Sequence, residues 1–427
     1  MKVLVVGSGG REHAIVWKLS QSRHVDKIYC CPGNAGIAEI AECIDVRQDD
    51  FDALLDFVKY EWIDMTIVGP EDPLSKGIVD LFEKEGRRIL GPTKAAVQLE
   101  SSKVFSKDLM RSHGIQTADY KVFTSYLHAE EHVKMKGTPI VIKADGLAAG
   151  KGVFVATTMT EAMDALKVIM KDKAFGDAGN RVLIEDCLQG EEASFMVFTD
   201  GKSIIPMVSS QDHKRIGDGD KGLNTGGMGA YSPAPVVTPE LEKLVIEKVM
   251  KPTIRALSSQ GITYKGVLYA GLMIDGNGTP NVLEFNCRLG DPETQPILAR
   301  LDTDFMEIAM AIADERLAEI EVVWKDDPAV CIVVSSEGYP GTYRKGDVIT
   351  GISAANQIEG VHVFHAGTAF RENQIVTSGG RVLGITATGS TIAAARDKAY
   401  EAVGKIHFDG MHYRKDIASR ALNRRTD

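Results

Sequence analysis

Apolar residues along this chain follow two rhythms. A continuous run at Val3–Val6 is followed by a glycine turn, and then by apolar Ile15 and Leu19, four residues apart. An unbroken run suits a parallel strand covered on both faces. The four-residue spacing suits one face of a helix. The stretch 2–22 therefore predicts strand, glycine turn, helix. The alternation continues with a strand at 28–34, a helix near 50–60, a strand at 64–74, another helix and a strand at 88–93. That is an open parallel α/β unit, whose ligands sit in loops at the carboxyl ends of the strands. A helix at 101–115 follows, capped by Ser101 or Ser102 and stopped by Gly114. It carries Lys103 toward a neighbouring site, unless that lysine is simply a surface one.

Farther on, the apolar runs 140–142 and 153–155 flank a loop holding Gly146, Gly150, Lys151 and Gly152. The phosphate-loop pattern does not fit. Its two glycines stand one residue too close, Gly152 replaces the hydroxyl residue, and a strand follows in place of a helix. The reading is a hairpin tip, a flexible flap whose N–H groups can fold over phosphates. Lys143 lies in the strand before it; a plain hairpin with a solvated lysine is the alternative. The stretch 181–201 reads strand, turn, strand. It carries Glu185, Asp186, Leu188, Glu191 and Glu192, an apolar edge beside acids that suits adenine and ribose or is merely solvated. The polar, glycine-rich 211–233 is long enough to be a substrate-covering loop or a disordered one. It holds Asp212, His213, Lys214, Arg215 and Asn224. Beyond it come a helix at 303–318, three strands up to 388 and a helix at 391–406. His362 and His365 there read as structural.

The densest chemistry lies at 281–295, NVLEFNCRLGDPETQ. In a strand alternate side chains share a face, so Glu284 and Asn286 point the same way, flanking the opposed Phe285. A carboxylate and an amide oxygen side by side suit a hard cation such as Mg²⁺ that also meets phosphates. Arg288 in the exit loop can clamp a carboxylate or phosphate through two N–H groups. A solvated strand face is the alternative.

Composition narrows the classes. The chain has 427 residues, a formal charge of −10 and 44% hydrophobic residues, so roughly three domains are expected and nucleic acid is not favoured as a partner. Six scattered cysteines with no C-x-x-C pair read as reduced thiols in a cytoplasmic chain. No signal peptide is read at the start, and no apolar run approaches the ~20 residues of a membrane span. The turn at Gly7, Gly9 and Gly10 tempts a dinucleotide reading. Glu12, however, stands where the third glycine belongs, and no acidic strand end follows at the expected spacing. A phosphate-binding turn at a helix start remains open.

Taken together, VLVVGSGGREHA, PGNAG, GPEDPL, IKADGLAAGKGV, QDHKR, NTGGMGAYSP and LEFNCRLGDPETQ make the chain closely similar to the phosphoribosylamine–glycine ligase family of ATP-grasp enzymes. The similarity covers essentially the whole length. Leu289 and Asp72 depart from the expected Phe and Ala. The resemblance implies an α/β multidomain chain with the ATP-grasp fold: an N-terminal open parallel α/β domain (1–102), the ATP-grasp portion in two parts (103–192 and 193–325), and a C-terminal mixed β/α domain (326–427). It implies ligation of glycine to 5-phosphoribosylamine with ATP, through a glycyl phosphate, by a monofunctional enzyme of purine biosynthesis. By position, Glu284 and Asn286 are the implied ligands of Mg²⁺ or Mn²⁺. Lys103, Lys143, Gly146, Gly150, Lys151 and Gly152 are the implied phosphate contacts, with Lys143 and Arg288 catalytic. Glu185, Asp186 and Leu188 fall to adenine, Glu192 to ribose, and Arg215 and Asn224 to the nucleotide. Asp212 and Arg288, with Gly290, fall to glycine; Gly9, Gly10, Asn34 and Glu71 fall to phosphoribosylamine. A monomer is expected, with a weak dimer as the alternative. The rival readings are another acid–amine ligase of the same architecture, a nucleotide-binding regulator without turnover, and a nicotinamide oxidoreductase.

Overall fold

The computed structural model describes residues 1–147 and 152–424, so Gly150 and Lys151 of the expected flap lie outside the described residues. Five parallel strands build the first sheet: Lys2–Gly7, Lys27–Pro32, Glu42–Cys43, Met65–Val68 and Ile89–Leu90. Their spatial order is third, second, first, fourth, fifth. The winding reverses between Lys2–Gly7 and Met65–Val68, so the loops leaving those two strands open a crevice. Gly9, Gly10 and Glu71 lie on its lips. The strand expected over 64–74 ends at Val68, and Glu71–Lys76 is helix. Pro70 has no N–H for a ladder, and acids at Glu71 and Asp72 favour a first helical turn.

Two antiparallel sheets form the middle of the chain. One takes Tyr120–Phe123, Val182–Asp186, Ile140–Ala144 and Val153–Ala156, in that order; the last two are the arms of the flap hairpin. The other takes Ile204–Pro206, Glu191–Thr199, Gly266–Ile274 and Pro280–Asn286. They meet at a bridge between Thr117 and Val282, where Val282 N donates to Gln116 O at 2.8 Å. Just before, helix Lys103–Ser112 is capped by Ser102, whose Oγ accepts from Phe105 N at 3.2 Å.

The last sheet runs Gln211–Asp212, Gly229–Ser232, Ala329–Ser335, Arg381–Thr388, Val361–His365. Its first two strands come from the stretch expected to be loop. Between them, Arg215–Gly217 pairs with Lys221–Asn224 in a small hairpin. Residues 412–424 fasten that hairpin from outside. Arg414, buried, donates to Arg215 O at 3.1 Å and Asp220 Oδ1 at 2.8 Å. Arg420 donates to Asp220 Oδ2 at 2.5 Å and Asp212 O at 3.4 Å.

Apolar burial shows which layers are joined. One core merges Leu4, Val6 and Phe82 of the first domain with Phe195, Leu268 and Phe285 of the second antiparallel sheet. Another merges Val3, Val5 and Ile15 with Phe198, Ile297 and Phe305. The flap-bearing sheet packs on its own helices through Ile140, Ile142, Leu166 and Ile184. The last sheet does the same through Val330, Ile385 and Phe408. It meets the first helix along an aromatic seam, with Trp17 at 4.4 Å from His362 and His13 at 5.6 Å from Phe364. His365 sits there as well, its N–H donating to His13 Nδ1 at 2.7 Å. Among the described residues no helix is long and apolar enough to cross a membrane.

Phe285 is 2% exposed and belongs to the shared core. Phe285→Ala is expected to cost about 3–5 kcal/mol, read as a lower urea midpoint with the native circular dichroism spectrum retained.

Candidate active site

Strand Pro280–Asn286 is not regular. Its register against Gly266–Ile274 shifts between the pairs Gly271–Glu284 and Leu272–Val282, leaving Leu283 as an extra residue. Such a bulge re-aims the neighbouring side chains. Val282 and Phe285 both enter the core, while Leu283, Glu284 and Asn286 stay half-buried on the other side. The Leu283 carbonyl accepts from Lys143 Nζ at 3.2 Å.

Cations surround Glu284. Burial opposes its ionisation, but Lys214, Lys143, Lys103 and Arg288 outweigh that and hold the carboxyl below its ordinary range. Each cation has a partner of its own. Lys214 meets Glu192 at 2.9 Å, and Lys143 meets Glu185 at 2.9 Å. Lys103 Nζ donates to Gly146 O, at the root of the flap, at 2.9 Å. Arg288 lies 3.1 Å from both Glu71 and Glu100, and its Nη2 donates to Asn286 Oδ1 at 3.2 Å. Burial resists ionisation of Glu71 too, yet Arg288 and Arg11 bring it down to about 2. Asp212 goes the other way. Burial pushes it up to about 7 against the pull of Lys214, and Glu293 and Glu192 add to the push.

The crevice of the first sheet is partly filled by Glu12. Its Oε2 accepts from Gly9 N at 2.6 Å and its Oε1 from Arg11 Nε at 2.6 Å. A Cβ on Gly69 would fall 2.0 Å from Glu12 Oε1, and one on Gly7 2.4 Å from Glu12 Cγ. The side chain thus takes the place at the helix start where a dinucleotide fold seats a pyrophosphate. Arg11 Nη1 also donates to Leu289 O at 3.2 Å, joining this crevice to the exit of strand Pro280–Asn286.

Other expected site residues stand as follows. The Asn34 amide is fully engaged: it donates to Ser8 O at 2.9 Å and His365 O at 2.8 Å, and accepts from Gly36 N and Ile37 N at 3.0 Å each. It shapes its loop and ties the first domain to the last sheet. Asp186 pairs with Lys136, a lysine of the flap domain's helix. Arg215 Nη1 donates to Gly222 O at 2.8 Å inside its own hairpin, with Asn224 opposite it on the ladder. Leu188 is half-buried in the turn between Val182–Asp186 and Glu191–Thr199. Gly10 and Gly290 leave room for neighbours: a Cβ there would lie 2.8 Å from Gln295 Nε2 and 2.4 Å from Glu293 Oε2. Gly152 accepts from Ala144 N at 2.9 Å, closing the described part of the flap hairpin.

Three residues were not foreseen as part of the site. Glu100 backs Arg288, Arg11 reaches across from the first helix, and Lys107 Nζ meets Glu185 at 3.0 Å. Lys107 alone had a usable signal: it stands four residues after Lys103, on the same helix face.

Known proteins resemble this chain in sequence and fold. Residues 1–100, 101–294 and 329–420 match the N domain, the ATP-grasp (A) domain and the C domain of phosphoribosylglycinamide synthetase. The chain is 52% identical over 426 residues to the phosphoribosylamine–glycine ligase of Vibrio parahaemolyticus, covering 99% of each. Against that of Escherichia coli K12 it is 51% identical over 427 residues, again covering 99% of each. The crystal structure of phosphoribosylamine–glycine ligase from Thermotoga maritima matches with a TM-score of 0.85 at 33% identity, over 97% of this chain and 100% of that one. A biotin carboxylase domain from Hydrogenobacter thermophilus, in complex with MgADP, shares the fold with a TM-score of 0.74 at 16% identity, over 96% of this chain and 91% of that one. Matched along nearly its whole length, the chain belongs to the phosphoribosylglycinamide synthetase family and has the ATP-grasp fold.

Proposed function

We propose that this chain joins glycine to 5-phosphoribosylamine, as the name of its full-length relatives says of them, with conversion of ATP to ADP and phosphate. One observation carries the reading: a half-buried face of strand Pro280–Asn286 sets an ionised carboxylate and an amide oxygen among buried and half-buried cations, beside the crevice of the first sheet.

A hard divalent cation fits this donor set, because Glu284 is held ionised and both donors are oxygen. Glu284 and Asn286 would hold Mg²⁺ or Mn²⁺, which supplies neutralisation of phosphate charge when bound. Lys103, Lys143 and the flap residues Gly146, Gly150, Lys151 and Gly152 grip the phosphates. Glu185, Asp186 and Leu188 seat the adenine and Glu192 the ribose, with Arg215 and Asn224 at the nucleotide's edge. Asp212 and Arg288 take the two ends of glycine near Gly290. Gly9, Gly10, Glu71 and the loop shaped by Asn34 receive the phosphoribosylamine.

The chemistry follows from the groups. A carboxylate is a poor electrophile, so glycine's carboxylate takes the γ-phosphoryl group to become an acyl phosphate. The amine then displaces phosphate. Phosphoryl transfer asks mainly for positioning and charge neutralisation, and no protein nucleophile is required. Arg288, fixed by Glu71 and Glu100, steadies charge developing on the carboxylate. The flap excludes water that would hydrolyse the acyl phosphate.

A coupled ADP assay, omitting glycine and then phosphoribosylamine, tests the reading. ADP release is expected to need glycine and to reach its full rate only with both; release that ignores glycine sinks it. Glu284→Gln is expected to cut kcat about a hundredfold or more at saturating Mg²⁺ with the native circular dichroism spectrum retained. Asp212 is charged only above about 7, so the KM for glycine is expected to rise as pH falls below that value. Asp212→Asn is expected to flatten this dependence, which a glycine KM series from pH 6 to 8.5 measures.

A further inference from the structure

A closed circuit of hydrogen bonds runs behind the site. The Val282 carbonyl accepts from Thr117 Oγ1 at 2.5 Å. Lys107 Nζ donates to that hydroxyl at 2.7 Å and meets Glu185 Oε2 at 3.0 Å. Lys143 Nζ meets the same Glu185 oxygen at 2.9 Å and donates to the Leu283 carbonyl at 3.2 Å. The circuit leaves strand Pro280–Asn286 at Val282 and rejoins it one residue later, next to Glu284.

Lys107 is spent on protein partners, Thr117 and Glu185, with its side chain 2% exposed. A charge so placed is tolerated only when paired and hydrogen-bonded, and Lys107 is both. Two ammonium groups converge on Glu185 Oε2. The other oxygen, Oε1, is buried and has no hydrogen-bond partner among the described residues. A carboxylate oxygen of that kind accepts and cannot donate. Adenine carries an amino donor at the position where guanine carries a carbonyl. An acceptor held still would therefore welcome the first base and repel the second, because an unpaired buried polar group is costly.

We propose that Lys107 is a positioning residue: it anchors Glu185 so that the free oxygen selects adenine over guanine, and it keeps Lys143 available to the phosphates at a set distance from Glu284. This rests on the ATP reading above. Without Lys107, Lys143, already 2.9 Å from Glu185, is the one remaining cation on that carboxylate and is held to it more tightly, at the expense of the phosphates. Glu185 also loses its tie, through Thr117, to the strand bearing Glu284. Base selection and phosphate grip then decline together.

The test compares Lys107→Met, which keeps the length and removes the charge, with Lys107→Arg, which keeps the charge. ADP and GDP binding to the whole protein are measured by calorimetry in Mg²⁺, beside melting curves and ATP and glycine KM values. Lys107→Met is expected to lose about tenfold or more of its preference for ADP over GDP and to raise the ATP KM, with the glycine KM unchanged. Lys107→Arg is expected to retain much of the preference. Thr117→Val, which spares every charge, is expected to shift it in the same direction by less. A Lys107→Met protein that melts earlier but keeps both the ADP/GDP ratio and the ATP KM overturns the proposal, since a purely structural lysine would behave so. If Lys107→Met does not fold, the double variant Lys107→Met/Glu185→Gln removes both buried charges, and a wild-type base preference in it overturns the proposal equally. Binding needs neither glycine nor phosphoribosylamine. Glycine-independent ADP release therefore counts against the ligase reading alone, whereas a wild-type protein that binds neither nucleotide sinks both.

Discussion

Charges taken out of water together have to cancel together, and the centre of this protein is built on that constraint. Glu284 is tolerable in its place because Lys103, Lys143, Lys214 and Arg288 face it. Three of those cations are tolerable in turn because Glu185, Glu192, Glu71 and Glu100 back them. Removing one member of such a set leaves an uncompensated charge, worth about 3–5 kcal/mol. The members come from separate layers: Glu71 from the first domain, Lys103 from the connecting helix, Lys143 and Glu185 from the flap sheet, Glu284 from the second sheet. Mutual neutralisation therefore fixes how the layers meet.

The layers differ in how firmly they are joined. The first domain and the second antiparallel sheet share two apolar cores, whereas the flap sheet buries its apolar face against its own helices. What holds the flap sheet to the rest includes polar links: the Thr117–Val282 bridge, the Lys143 contact with Leu283 O, and Asp145, whose Oδ1 accepts from Val104 N at 3.1 Å. Polar links with fixed geometry position a layer while leaving less buried apolar area to resist its motion.

Much of the fold was legible locally. The opening strand and helix, a cap at Ser101 or Ser102 (it is Ser102), the arms of the flap hairpin and strand Arg381–Thr388 all follow from patterns within a few residues. The strands Gln211–Asp212 and Gly229–Ser232 were not legible, because elements of two and four residues carry no usable period and their edge is supplied by Ala329–Ser335, far along the chain. The shared face of Glu284 and Asn286 was read from simple alternation. It survives the bulge at Leu283 only because the extra residue lies before both. Glu100 and Arg11 look like ordinary surface charges until their remote partners are known, whereas Lys107 is marked only by its spacing from Lys103. The Glu12 mismatch with the dinucleotide pattern was visible at once, and the crevice it fills explains it.

The hairpin carrying Arg215 and Asn224 is fastened by Arg414, 199 residues downstream of Arg215. Contacts that distant in sequence form late, since a long stretch must be gathered before they bring any gain. During translation the earlier layers can pack before residues 412–424 have left the ribosome, while this hairpin still lacks its fastening. A nascent chain therefore carries this hairpin unfastened until residues 412–424 have been made.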